Sequence, residues 1–226
     1  MRMKPIAHIR SDFSTKFGIP RQSGLIAELK GEIIFEPEYR NPEALRGLDH
    51  FSHIWLIWEF SASKREKFSP TVRPPRLGGN RRMGVFATRS PFRPNPIGLS
   101  AVRLEQIDWQ TDAGPVLYVS GADLMNGTPI LDIKPYIAYS DCHADATGGF
   151  TTNVARSRLE VMISSEWLQR IAPEKHQTLR EVLASDPRPS YQDDPNRIYG
   201  LAFAGLDVRF TVSDNVLTVV EVIELL

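Results

Sequence analysis

The chain has 226 residues, balances 27 Lys and Arg against 27 Asp and Glu, and is 42% hydrophobic and 24% charged. These values are typical of a globular protein of one or two domains and exclude a largely disordered chain. No apolar run reaches the ~18 residues of a membrane span, and the first residues do not resemble a signal peptide. A single cysteine, Cys142, excludes an intrachain disulfide framework. We therefore expect a soluble cytoplasmic protein.

Short apolar segments separated by Gly and Pro dominate the first 140 residues and predict strands. In chain order the predicted strands cover residues 6–9, 31–36, 53–60, 84–88, 99–109, 116–122 and 131–136, with a short helical turn at 42–48. The stretch 53–60 is almost continuously aliphatic and aromatic, which is typical of a strand buried on both faces. Many short strands predict a barrel or sandwich, and neither a G-x-G-x-x-G nor a Walker motif supports a Rossmann nucleotide site.

The pattern changes after residue 140. Residues 141–155 are small and polar, which predicts a linker. Beyond them we predict a strand at 158–164, a helix capped by Ser164 or Ser165, a second helix from Pro173 to about 184, and strands within 199–204, 206–212 and 216–226. The prediction is a mostly β protein, with a barrel-like N-terminal domain (1–140), a linker (141–155) and a small α+β C-terminal domain (156–226).

Basic residues are concentrated in one segment. Residues 64–103 hold ten Lys and Arg and one acid, a net charge of +9 in 40 residues, and six of the 17 prolines. A charged helical face that only meets solvent usually mixes Lys with Glu, whereas arginine is the planar fork suited to phosphate and carboxylate. Pro and Gly in the stretch 71–100 predict a stiff loop that carries Arg89 and Arg93. The segment predicts a site for an anion such as the phosphates of RNA.

A second polar motif occupies residues 123–136. Its Asn126-Gly127 pair predicts a turn, and Asp132, Lys134 and Tyr136 alternate, so they share one face of an extended segment. That face is either functional or the solvent side of an edge strand. No histidine pair has metal-ligand spacing, so no metal site is expected. We expect His53, which opens an apolar strand, to be a hydrogen-bonded core residue.

Four motifs together resemble the TsaA-like (TrmO-type) family. They are PRQSG at 20–24, RGLDHFSHIWLIWEF at 46–60, TVRPPRLGGNRRMGVFATRSPFRPNPIGLS at 71–100 and NGTPILDIKPY at 126–136. The resemblance implies a β-barrel methyltransferase that uses S-adenosyl-L-methionine and works as a homodimer. It also implies a substrate, the N6-threonylcarbamoyl-adenosine beside the anticodon of tRNA, and a product methylated on that N6 nitrogen.

The resemblance assigns cofactor contacts residue by residue. The matching positions are Arg21, Gln22, Phe60, Ser61, Arg89, Leu99, Asn126, Gly127, Thr128 and Pro129. Two of them depart from the pattern of bacterial relatives, which often have His at Ser61 and Asp at Asn126. Ser61 offers no ring for stacking, and Asn126 keeps the turn but not the charge.

Methyl transfer from a sulfonium is a direct displacement that needs alignment and desolvation, with neither a metal nor a nucleophilic side chain. Asp132 or Tyr136 is the candidate base, and Phe92 or Trp58 is the candidate to stack on an RNA base. The candidate RNA-binding residues are Arg76, Arg81, Arg82, Arg93 and Lys134. Two alternatives stay open: a non-catalytic RNA-binding module, and a methyltransferase of a small anionic molecule. Apolar strands too numerous for a small barrel to cover also favour a homodimer.

Overall fold

The structure is a computed structural model that describes residues 3–63, 67–74, 77, 81–152, 158–189, 192 and 194–225. The chain is mostly β, with 37% strand and 19% helix. Six antiparallel strands form a closed barrel, and four strands of the C-terminal part form a separate sheet. The predicted fold class is thereby confirmed.

The barrel strands are β1 (Ala7–Ser11), β2 (Lys30–Phe35), β3 (His53–Glu59), β6 (Ile97–Thr111), β7 (Gly114–Ser120) and β8 (Pro129–Pro135). They follow the order β1-β2-β7-β6-β3-β8, and pairing of β1 with β8 closes the barrel. A two-stranded ribbon, β4 (Thr71–Val72) with β5 (Met83–Gly84), lies between β3 and β6 in sequence. Aliphatic side chains such as Ile9, Leu56 and Leu117 fill the barrel interior.

Three sequence-based predictions for this half are wrong: the burial of β3 on both faces, the core position of His53 and the strand at 84–88. Strand β3 is not buried on both faces: its side chains alternate, with Ile54, Leu56 and Trp58 inside the barrel and the others half-buried outside, because one face of a barrel strand points outward. His53 is among the outer residues, where its Nδ1 lies 2.9 Å from Ser52 Oγ. Of the predicted strand 84–88 only Gly84 is in a strand, β5, because both the Thr88 N–H and the Thr88 hydroxyl donate to the Val85 carbonyl and close a turn.

Among the residues that the structure describes, the remaining short elements are turns of 3-10 helix and three α-helices. The 3-10 turns are Pro37–Tyr39, Pro42–Leu45, Leu48–His50, Ser61–Ser63, Val85–Ala87, Gly149–Thr151 and Pro173–Lys175. The helices are α1 (Ala138–Asp141), α2 (Ser165–Leu168) and α3 (His176–Ala184). In the part of the chain that the structure describes, no helix is long and apolar enough to cross a membrane.

The C-terminal sheet contains β9 (Glu160–Met162), β10 (Tyr199–Phe203), β11 (Leu206–Ser213) and β12 (Val216–Glu224) in the order β10-β11-β12-β9, and β9 runs parallel to β12. The apolar face of α3 packs on this sheet, and the predicted strands and helices of this half are present.

The core of the C-terminal sheet also takes in a segment from the first 30 residues. Phe13, Ile26 and Leu29 are buried in it, and Phe13 packs edge-on against Phe203 with ring centroids 5.5 Å apart. Lys175 Nζ forms an ion pair with Asp12 at 2.6 Å. The loop between β1 and β2 therefore joins the barrel to the C-terminal sheet.

Gly98 on β6 predicts a measurable effect on stability. A Cβ there would lie 2.3–2.6 Å from ring carbons of Trp58, its cross-strand partner inside the barrel. We expect Gly98→Ala to lower the free energy of unfolding by about 1–3 kcal/mol, the usual cost of overpacking a core. Urea denaturation measures the free energy of unfolding of each variant. Gly84→Ala is the matched control, because a Cβ at Gly84 meets nothing within 4 Å. Equal midpoints for the two variants would contradict the packing of Trp58 on Gly98.

Candidate functional site

A cleft of about 1810 Å³ opens beside the barrel, next to the end of β3. Its walls come from the loop after β1, the β4–β5 ribbon, the loop between β5 and β6, the start of β6, and the segment before β8. Thr147 to Thr151 of the predicted linker add a further wall. Pockets for one small ligand typically hold about 300–1,000 Å³. This cleft therefore has room for a small cofactor and part of a second, larger ligand.

The described lining of the cleft is positively charged. Its basic residues are Lys16, Arg21, Arg73, Arg82, Arg89 and Arg93, and its acidic residues are Glu59 and Asp123. Six positive charges against two negative ones in one concave surface attract anions. The anion site that the sequence predicts between residues 64 and 103 is consistent with this lining, to which the loop after β1 adds Lys16 and Arg21.

A hydrogen-bonded chain forms the floor of the cleft. Trp58 Nε1 donates to the buried Ser100 Oγ at 3.0 Å, and Ser100 Oγ donates to Asp123 Oδ1 at 2.6 Å. Burial raises the pKa of Asp123, while the hydrogen bond from Ser100 and the positive charge of Arg89 oppose the increase. Asp123 is thus a largely desolvated carboxyl group in a basic cleft, the kind of group that ligand-binding and catalytic sites contain.

Arg89 connects two of the loops that carry the sequence motifs. Its Nη1 donates to Gln22 Oε1, which joins the loop between β5 and β6 to the loop after β1. The positive charge of Arg89 also acts on the pKa of Asp123, and all three residues line the cleft, so they form one polar cluster. Residues distant in sequence, at positions 22, 89 and 123, therefore meet in the cleft.

Arg93 supports the loop that carries Arg89. Its Nη1 donates to the Thr88 carbonyl at 2.7 Å and lies 3.4 Å from the Val85 carbonyl. Its guanidinium carbon lies over the ring of Phe86, 5.9 Å from the centroid. Arg93 lines the cleft, and part of its donor capacity holds the main chain in place.

The cleft brings together seven of the ten predicted cofactor residues: Arg21, Gln22, Phe60, Ser61, Arg89, Leu99 and Thr128. The other three, which do not line the cleft, are Asn126 and Gly127 in the turn before β8 and Pro129 at the start of β8. Asn126 Oδ1 accepts a hydrogen bond from the Ser11 N–H at 3.2 Å, and the Gly127 N–H donates to the Ile9 carbonyl at 2.8 Å. Gly127 has φ 75°, which a glycine adopts without strain. This turn ties the segment to β1 and places the buried Thr128 in the cleft wall.

The predicted RNA-binding residues have different locations. Arg82 and Arg93 line the cleft, and Arg82 Nη1 donates to Thr71 Oγ1 at 2.9 Å across the β4–β5 ribbon. Arg81 is exposed next to Arg82 but is not part of the lining. Arg76 lies outside the described residues.

The structure does not bring Asp132, Lys134 and Tyr136 to the cleft. Asp132 and Lys134 form an ion pair at 2.9 Å on the outer surface of the barrel. The Tyr136 ring packs against the ring of Trp55 on β3, with centroids 5.4 Å apart. In this chain the three side chains therefore face away from the polar cluster around Asp123, and their predicted roles stay predictions.

The outer surface carries a small groove of about 360 Å³, lined by Trp55, Ile57, Leu99, Lys134, Ser140, Asp141 and His143. Trp55 Nε1 donates to Asp141 Oδ2 at 2.8 Å and the Ile137 N–H donates to the same oxygen. These two hydrogen bonds lower the pKa of Asp141. Within the described ranges, no group of three His, Cys, Asp or Glu side chains is arranged to hold a metal ion.

The two candidates for stacking on an RNA base have different environments in the structure. Trp58 is only 7% exposed and belongs to the barrel core and the cleft floor, and Phe92 is half-buried in the lining.

The sequence analysis did not single out two residues of the cleft, Asp123 and Phe86. Their position is set by long-range packing, and the only local signal for Asp123 is its place just before the Asn126-Gly127 turn.

A closed antiparallel barrel with a basic cleft at the edge defines a class of β-barrel ligand-binding proteins that differ from nucleotide-binding sheets of the Rossmann type. A family model described as the tRNA-methyltransferase O N-terminal domain matches residues 8–142, and one described as the TrmO C-terminal domain matches residues 156–225. The chain belongs to the tRNA-methyltransferase O family, so the resemblance drawn from the sequence motifs is confirmed.

Relatives extend over nearly the whole chain. It is 39% identical over 221 residues to the tRNA (adenine(37)-N6)-methyltransferase of Escherichia coli K12, which is 94% of either chain. It is 42% identical over 220 residues to a Pseudomonas aeruginosa protein named putative S-adenosylmethionine-dependent methyltransferase RcsF, covering 92% of this chain and 91% of that one. A crystal structure of TrmO from Pseudomonas aeruginosa superposes with a TM-score of 0.77 and 36% identity, over 99% of this chain and 98% of that chain.

Proposed function

We propose that this protein transfers a methyl group from S-adenosyl-L-methionine to the N6 nitrogen of adenosine 37 in tRNA. The observation that carries the proposal is the cleft in which Gln22, Arg89 and Thr128 meet beside Asp123, in a chain 39% identical to a methyltransferase of that specificity. We also propose that the adenosine carries an N6-threonylcarbamoyl group. The resemblance of the motifs to the TsaA-like family supports this substrate, and the arginines of the cleft offer partners for its carboxylate.

The residues of the cleft fit this cofactor. S-Adenosyl-L-methionine has a carboxylate, two positively charged groups and an adenine ring. Arg21 and Arg89 would hold the carboxylate, and Asp123 would face the positive charges. Phe60 and Leu99 supply apolar surface for the adenine. When bound, the cofactor supplies an activated methyl group on its sulfonium.

The protein's part in such a displacement is alignment and exclusion of water. The Arg89–Gln22 hydrogen bond fixes two loops of the cleft relative to each other, and the Trp58–Ser100–Asp123 chain fixes the carboxyl group. A base in a nucleic acid must leave its stack to reach such a site, and the volume of the cleft accommodates a flipped adenine in addition to the cofactor.

The rest of the chain is assigned to RNA binding and assembly. We propose that Arg81 and Arg82 hold backbone phosphates of the anticodon loop, at the mouth of the cleft.

We retain the division into a barrel domain (1–140), a linker (141–155) and an α+β domain (156–226), with the loop between β1 and β2 as the connection between the two domains. A tRNA substrate supports a cytoplasmic location.

Mass spectrometry of tRNA nucleosides tests the function. In a strain that lacks this protein, we expect N6-threonylcarbamoyl-adenosine without its methyl group, and we expect restoration by the wild-type gene. Purified protein should bind S-adenosyl-L-methionine in calorimetry. An RNA-binding module without catalysis would give no heat with the cofactor. A methyltransferase of small anions would bind the cofactor but leave the tRNA nucleosides unchanged.

We propose a homodimer, because the groove on the outer surface of the barrel contains an apolar patch formed by three neighbouring side chains. Leu99 is 54% exposed there, next to Trp55 and Ile57. Leu99 also lines the cleft, so a second copy on this surface would lie close to a cleft and could bring its Asp132 and Tyr136 near it.

Light scattering at micromolar concentration should give about 51 kDa, twice the chain mass of 25.5 kDa. Ile57→Lys should shift the mass toward 25.5 kDa, because it replaces an apolar side chain of this patch by a charge that a subunit contact would have to bury. A wild-type mass of one chain at this concentration would contradict the dimer.

A further inference from the structure

Phe86 is an exposed aromatic residue inside a basic cleft. Its side chain is 74% exposed, whereas the other aromatic residues of the described lining (Trp58, Phe60, Phe92 and Phe150) are buried or half-buried. We infer that Phe86 is the stacking residue for an unpaired base of the RNA substrate. The inference rests on the proposed tRNA substrate and assigns a role to a residue that the family resemblance did not.

The main chain presents Phe86 rigidly. The neighbouring Val85 is 1% exposed and anchors the 3-10 turn Val85–Ala87. The Val85 N–H donates to the Pro70 carbonyl at 2.9 Å, and the Val85 carbonyl accepts from the Thr88 N–H at 3.1 Å. A ring on a turn held at both ends loses little conformational entropy when it stacks, so more of the stacking energy appears as affinity.

Arg93 covers one side of the Phe86 ring and leaves the other for a ligand. Its guanidinium is held by the Thr88 carbonyl, which fixes it over the ring. A base on the opposite side would complete a sandwich of cation, phenyl ring and base. Base–aromatic stacking with an adjacent arginine is a common way in which proteins bind single-stranded nucleic acid.

The surroundings of Phe86 suit RNA better than a protein partner. Arg73 and Arg82 lie in the same cleft, on the β4–β5 ribbon and the chain next to it, where phosphates of a loop can reach them. Sequence-tolerant stacking together with phosphate contacts is the usual mode for splayed RNA loops. An apolar protein partner would leave these arginines desolvated without counter-charges.

Phe86→Ala should weaken the affinity for an anticodon stem-loop RNA about 5- to 150-fold, the loss of one stack of about 1–3 kcal/mol at 1.4 kcal/mol per tenfold. The affinity for S-adenosyl-L-methionine should change less than twofold. Phe86→Trp should bind the RNA as tightly as wild type or more tightly, because the indole keeps the π face. Phe86→Leu should resemble the alanine variant, because it keeps apolar bulk but loses the aromatic face.

Phe68→Ala is the matched control. Phe68 is also exposed (56%) and close to the same basic segment, but it does not line the cleft. The Phe68→Ala variant should bind the RNA with the affinity of wild type. Stem-loops with a single abasic site at each loop position should locate the stack: at one position, removal of the base should abolish the effect of Phe86→Ala.

The outcomes separate this inference from the proposed function. If wild type methylates tRNA but Phe86→Ala binds the stem-loop normally, or if no abasic position couples to Phe86, the stacking role is wrong and the function stands. If Phe86→Ala instead halves the mass in light scattering, Phe86 belongs to a subunit interface and the inference is overturned. If wild type neither binds nor methylates tRNA, the proposed function itself fails.

Discussion

Replacement of Arg89 by alanine is expected to weaken the binding of S-adenosyl-L-methionine about 10- to 150-fold, with the fold unchanged. The guanidinium donates to Gln22 on the loop after β1, and its positive charge acts on Asp123 in the same cleft. Loss of a charge-assisted hydrogen bond typically costs about 1.5–3 kcal/mol, which corresponds to this change in affinity. Calorimetry with the cofactor measures the effect, and far-UV circular dichroism checks the fold.

Arg103→Ala is the control for charge alone. Arg103 belongs to the same basic segment, but it lies on β6 away from the cleft, 3.4 Å from Glu105. We expect the cofactor affinity of this variant to match wild type. If a folded Arg89→Ala protein has wild-type affinity for both the cofactor and tRNA, Arg89 does not belong to the binding site and its contact with Gln22 is only structural.

The affinity for tRNA should fall steeply with salt. Each neutralised phosphate contributes a slope of about −0.7 to −0.9 to log affinity against log salt. Ten basic residues lie between 64 and 103, but our proposal assigns Arg89 to the cofactor and Arg93 supports the main chain, so we expect about three to six phosphate contacts. The expected slope is about −2 to −5 by the same relation. S-Adenosyl-L-methionine is compact and has a small net charge, so its own affinity should depend on salt far less.

Replacement of Arg81 and Arg82 together by alanine should make the slope shallower by about one to two units. Filter binding over 50 to 300 mM salt would measure it. Arg158 and Arg180 on the C-terminal part are the matched pair, since the first is tied to Glu181 and the second to the Val161 carbonyl. If the C-terminal pair shifts the slope and the Arg81–Arg82 pair does not, the RNA surface lies on the C-terminal sheet. A flat curve for wild type would assign the arginines to subunit or cofactor contacts.

Local patterns in the sequence were sufficient for the strands and for the basic segment. Apolar alternation located the barrel strands within a few residues, since side chains of a half-buried strand follow a period of two. Local patterns were insufficient at residues 84–88, where an apolar stretch forms a turn because the Val85 carbonyl accepts both hydrogen bonds from Thr88. The continuous apolar run at 53–60 was also misleading, because Trp55 and Ile57 on the outer side of β3 are half-buried and line the small groove.

The sequence by itself determined the mostly β class, the change of pattern near residue 140 and the motifs that place the chain in its family, because these depend on neighbours along the chain. Only the tertiary structure decided which motif residues share a cleft. Packing of the loops against the barrel sets Arg89 beside Gln22 in the cleft that also contains Asp123, and the register of β8 leaves Asp132 and Tyr136 on the outer surface of the barrel. Likewise, no local pattern links Phe13 with Phe203, whose contact depends on how the loop after β1 packs into the C-terminal core. Such contacts join residues far apart in sequence, so burial and barrel closure decide them.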